Sequence, residues 1–148
     1  MNKFLLIAAV FAAGLTQPVQ AAMNARLRDG AQNPAFPGAV AFLSGGLLLA
    51  LLALLGVGGR PRLAGAAQAP WWAWVGGLSA AYLVTITLVA VKETGAAASI
   101  AAAVAGQAVA ALMLDHFGWL EVNRIPANPW RIAGTALVVV GMLLVQKK

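Results

Sequence analysis

Cysteine is absent from the 148 residues and histidine occurs once, so no disulfide and no thiolate metal site exists, and a histidine-based metal centre has too few ligands. The lack of cysteine also leaves the redox compartment open. Charge is scarce, with ten Lys and Arg and four Asp and Glu making up 9% of the chain, whereas 61% is hydrophobic. So little polar surface cannot cover a soluble globule, and the solvent for most of the chain must be lipid. No glycine-rich nucleotide-binding motif occurs, which argues against an ATP-driven pump. No nucleophile lies near an acid-base pair at a shared depth, so neither a catalytic residue nor a cofactor is expected. The net charge of +6 does not point to nucleic acid, because the basic residues stand in ones and twos between apolar runs, where charge flanks a membrane.

What the sequence has instead is apolar length. A spanning helix needs roughly 20 mostly apolar residues to cross about 30 Å of hydrocarbon. Five runs approach that length, at about 4–23, 38–57, 72–91, 95–114 and 130–146, and they predict one five-helix transmembrane domain over 1–148. Between them lie helix-ending signals: Asp29-Gly30 with Pro34 and Pro37, then Gly58-Gly59-Arg60-Pro61, then Pro126 and Pro129. Trp71, Trp72, Trp74, Trp119 and Trp130 flank the runs as an interfacial aromatic belt would. The N-terminus has a second reading. Lys3, the apolar stretch to Leu15 and Val19-Gln20-Ala21 resemble a secretory signal with its cleavage site. Against cleavage, Arg26 and Arg28 would then be exported, contrary to the usual charge bias, and the apolar run continues towards Asn24.

Polar side chains inside hydrocarbon are costly unless paired or wet, so they are the first candidates for function. On the first run Gln17, Gln20, Asn24 and Arg28 recur at helical spacing and form one stripe, interrupted by Pro18, which frees a backbone carbonyl a turn earlier. The stripe suits a polar cavity; it equally suits hydrogen bonds that cement helices. Gln107 falls near the middle of the fourth run, and its amide can donate and accept at once. Asp115 and His116 close that run. They form a candidate proton relay, with an interfacial histidine reaching for water as the plainer reading. Tyr82, with Ser79, Thr85 and Thr87, offers back-bonding hydroxyls or secondary cavity lining. Ala98, Ala102, Gly106 and Ala110 make a small-residue ridge for close helix packing, as Gly134 and Gly141 do on the last run.

Four strings, QPVQAAMNARLR from Gln17, PWWAWVGGLSAAYLVT from Pro70, GQAVAALMLDHFGWL from Gly106 and NPWRIAGTALVVVGMLLV from Asn128, resemble in order and spacing the five-helix repeat of the drug/metabolite transporter superfamily, and within it the YdcZ-type inner-membrane exporters. The resemblance covers nearly the whole chain. It implies an all-α fold in which two five-helix repeats of opposite orientation surround a central cavity, with one repeat present here. It carries over to Gln17, Pro18, Gln20, Asn24, Trp71, Trp72, Gly106, Gln107, Asp115, His116 and Gly118, while Ala111 stands where a small hydroxyl residue is expected. The expected function is export of a small metabolite or drug-like molecule across the bacterial inner membrane by alternating access. A non-transporting scaffold or accessory subunit is the rival. The second half would come from an antiparallel homodimer or from a separately encoded paralogue.

Charge placement bears on that choice. Alternating through five spans, one face collects Lys3, Arg60, Arg62, Arg124 and Arg131 and the other Arg26, Arg28, Lys92, Lys147 and Lys148. The acids divide evenly too, Asp115 and Glu121 opposite Asp29 and Glu93. An excess of Lys and Arg normally sets orientation, and this chain has none.

Overall fold

The computed structural model describes residues 2–147; Lys148, one of the balanced cations, lies outside the described residues. Helix is the only regular secondary structure among them. Five helical segments are long and apolar enough to cross a membrane: Lys3–Ala31, Ala35–Leu54, Trp71–Thr94, Ala96–Phe117 and Pro129–Gln146. The chain divides into two compact units, the first ending at Val89 and the second starting at Ala90.

In the first unit, α1 (Lys3–Gly14) begins where the Asn2 side chain accepts from the Phe4 N–H at 3.1 Å. It gives way at Leu15 to α2 (Thr16–Ala31). Pro18 has no N–H to donate to the Gly14 carbonyl, and the Thr16 hydroxyl donates to the Ala13 carbonyl at 2.7 Å, so the ladder is interrupted where the proline dictates. The helix runs to Ala31, beyond the polar residues that suggested an end near 23. Ala, Arg and Leu are good helix formers, and water can solvate turns that emerge from the bilayer. The uncharged stretch from Phe4 to Ala25 is about 33 Å long, enough for the hydrocarbon, which puts Arg26 and Arg28 at the exit. Gln32, at φ 51°, closes the helix in a left-handed conformation.

The α2 helix packs on α3 (Ala35–Leu54), whose start is capped by Asn33 accepting from the Ala35 N–H at 2.8 Å. Positive φ at Gly56, Gly58 and Gly59 stops α3. A single turn, α4 (Leu63–Ala66), and a short 3₁₀ segment, Trp71–Val75, lead into α5 (Gly76–Thr94). Pro37 and Gly38 at the start of α3 are buried, as is Leu88 of α5, and a Cβ added at Gly38 would sit 3.6 Å from Val84 Cγ1.

The second unit starts at the end of α5. Gly95, at φ 83°, turns the chain into α6 (Ala96–Phe117), and the Ser99 hydroxyl ties the turn together by donating to the Gly95 carbonyl at 2.9 Å and pairing with Thr94 at 2.8 Å. The α6 helix packs on α7 (Pro129–Gln146), which opens with the Asn128 side chain accepting from the Arg131 N–H at 2.9 Å and with proline in the first turn. Of the small-residue ridge on α6 only Ala98 is buried; Ala102, Gly106 and Ala110 are exposed. Burial is scant everywhere: no span has more than 17% of its apolar window buried within the chain. Lipid or a further protein surface must cover the rest.

Candidate functional site

The candidate residues fall into two groups, one in each unit, and each group has its own geometry. On α2, Gln17 and Gln20 are exposed, Asn24 and Arg28 half-buried. Gln17 stands near the middle of the uncharged stretch and Gln20 one turn towards its exit, so two primary amides lie at hydrocarbon depth with their faces open. Pro18 lies between them and leaves the Gly14 carbonyl as a spare acceptor at the same level. Arg28 ends the stripe by donating from Nη1 to the Leu88 carbonyl of α5 at 2.6 Å, across 60 residues of sequence. Tyr82, on α5, is 71% exposed, while the hydroxyl of Thr85 bonds back to the Ala81 carbonyl at 2.9 Å.

Gln107 lies at the midpoint of the 22-residue α6 and is exposed, beside an equally exposed Gly106. A helix of that length is about 33 Å long, so this amide sits at the centre of the bilayer, where an unpaired amide costs most. Asp115 and His116 have a different setting. Asp115 forms an ion pair with Arg131 in the first turn of α7, and its backbone carbonyl accepts from the Ile125 N–H at 2.8 Å. Arg131 also donates to the Ile125 carbonyl at 2.8 Å. The His116 Nδ1 accepts from the Ala127 N–H at 3.0 Å, which orients the ring against the loop. The Arg124 Nε donates to the His116 carbonyl at 3.1 Å. Gly118, at φ 68°, caps α6 by donating its N–H to the Leu114 carbonyl at 2.8 Å. Asp115, His116 and Gly118 thus shape the loop that returns the chain into α7. Their partners were missed in the sequence because residues 124–129 read there as a plain connection and Arg131 only as a charge flanking the last run.

Two predictions follow from this loop. Replacing Gly118 with Ala should lower stability by about 1–2 kcal/mol, since a Cβ is disfavoured at that φ and would lie 3.4 Å from Arg124 Cβ; thermal unfolding of the detergent-solubilised protein measures it. Asp115→Asn and Arg131→Gln should each destabilise the protein, and the double variant should lose less than the sum, with a coupling of about 1 kcal/mol for this partly exposed pair. Additive losses would show that the pair contributes nothing.

Among the described residues no group of three or more His, Cys, Asp or Glu is placed to hold a metal ion. Five apolar helices bearing amides at mid-depth define a multi-pass membrane protein. The model of the family described as "Putative inner membrane exporter, YdcZ" matches residues 5–144, and the chain belongs to that family. Its place is accordingly the inner membrane. No curated protein and no solved structure matches the chain.

Proposed function

We propose that the chain is one half of a secondary transporter that exports a small metabolite or drug-like molecule by alternating access, completed by a second copy inserted in the opposite orientation. The family's description as an inner-membrane exporter supports the transport role. The observation that carries the rest is the exposure of Gln17, Gln20 and Gln107 at hydrocarbon depth. Amides left against lipid would each lose hydrogen bonds worth several kcal/mol, on the order of the cost of an unmet peptide group. A second five-helix copy turns those faces inward, where water and substrate satisfy them. The exposed ridge of Ala102, Gly106 and Ala110 offers the close approach such a neighbour needs.

In this reading Gln17, Gln20, Asn24 and Gln107 line the cavity with the Gly14 carbonyl freed by Pro18, and Tyr82 is a peripheral member. Asp115 and His116 hold the α6–α7 loop, since both already have partners there. No carboxylate lies mid-span, which favours movement down the substrate's own gradient. The protein performs no covalent chemistry and needs no cofactor. Flux of a small-metabolite panel into liposomes containing the purified protein tests the proposal: saturable movement of at least one compound is expected. A protein that assembles but moves none of them is a scaffold.

A further inference from the structure

The charge at the end of the α2 stripe complements the helix C-terminus, but that role does not dictate where it points. Arg28 lies in the last turn of α2, where an arginine normally extends into water. Here its guanidinium instead bonds the carbonyl of Leu88, a residue only 3% exposed. Leu88 precedes Lys92 by one helical turn, about 6 Å, so the cation is held on the bilayer side of the charged end of α5. Asp115 with Arg131 is the one ion pair among the described residues, so no carboxylate is paired with Arg28 there. One of its five N–H donors is used by Leu88; the fork that recognises paired oxygens is left unfilled. A half-buried guanidinium with no carboxylate paired to it is a ready receiver for an anion that fills the fork.

Building on the transporter reading above, we propose that Arg28 is the anion-binding residue of the cavity, and that the transported molecule carries a carboxylate or phosphate group received by this guanidinium while the amides of Gln17, Gln20 and Asn24 bond its polar remainder. The bond to Leu88 aims the fork, and the position of Arg28 at the exit of the hydrocarbon places it at a mouth of the pathway, where an entering anion is still partly hydrated. Arg26, two residues away, is exposed and serves as an internal contrast.

The test uses the absence of cysteine. In full-length protein carrying Ala25→Cys, one turn from Arg28, the thiol is reacted with two methanethiosulfonates of similar size, one bearing a sulfonate and one a trimethylammonium. The anionic reagent should react faster by about tenfold. Arg28→Gln should abolish that preference, while Arg28→Lys, which keeps the charge and guards against misfolding, and Arg26→Gln should both retain it. Benzoate and phenyl phosphate should slow the labelling, and uncharged benzamide should not. The measurements are made in detergent free of anionic lipid and repeated with phosphatidylglycerol. An unchanged preference in Arg28→Gln, an equal loss in Arg26→Gln, a thiol inert to both reagents, or protection by phosphatidylglycerol in place of the soluble anions would each overturn the proposal. These readouts require no flux, so loss of the charge preference and loss of transport are separately visible.

Discussion

Replacing Gln107 with Leu is expected to abolish flux, by at least about tenfold, while leaving the assembled protein folded. One hydrogen bond to a polar ligand in a low-dielectric site is worth about 1–3 kcal/mol, and 1.4 kcal/mol is a factor of ten. Leucine is close in size and suits either lipid or a dry helix contact, so the substitution removes hydrogen bonding without opening a hole. The exposure of Gln107 at the centre of α6 matters here, because the side chain is not part of a buried core within the chain. If the amide only cements helices, the same change should loosen the assembly, and size-exclusion chromatography with thermal unfolding would register it. Gln107→Cys gives an independent check: labelling by a water-soluble thiol reagent is expected. Resistance to such reagents in every condition would remove Gln107 from the cavity.

The second large effect concerns orientation. A reporter fused to the C-terminus of the wild-type chain is expected to report from both faces of the membrane, and two or three added lysines at either end should collapse the signal onto one face. The reason is the even division of basic residues, five to each side, which deprives insertion of its usual bias. Mixed insertion is what an antiparallel pair requires, and that pair reproduces within two copies the opposed repeats that surround a transporter's central site. A wild-type signal from one side only, with activity that needs no separately encoded partner, would sink the antiparallel homodimer. Co-expression of two copies biased in opposite directions should restore transport that neither supports alone.

The spans were legible because lipid imposes a simple rule on composition: apolar runs near 20 residues must cross, and each of the five long helices overlaps one of the five runs, although the second helix stops at Leu54, short of the run's end at about 57. Their ends were less legible. The first apolar run ends near residue 23, but a helix does not end where an apolar run does, and α2 continues through Asn24 and Arg28 to Ala31 until Gln32 turns left-handed. The amides at Gln17, Gln20 and Gln107 could be singled out from spacing and depth alone, since few polar residues occur within the spans. The partners of Asp115, His116 and Arg28 could not. They lie 16, 11 and 60 residues away, and two of those three contacts end on backbone atoms that every residue possesses. Periodicity reveals which face a side chain shares, not which distant carbonyl it meets.

The α6–α7 loop also bears on how the chain is made. Asp115 emerges from the ribosome before the arginine that neutralises it, which follows 16 residues later at the start of α7. Until then α6 ends in an unpaired acid and an imidazole with no donor to receive. Once Arg131 and the Ala127 amide arrive, the acid, the ring and the turn at Gly118 find their partners together. Synthesis of the first turn of α7 therefore supplies the partners of the α6 terminus, and the end of one helix is completed only by the start of the next.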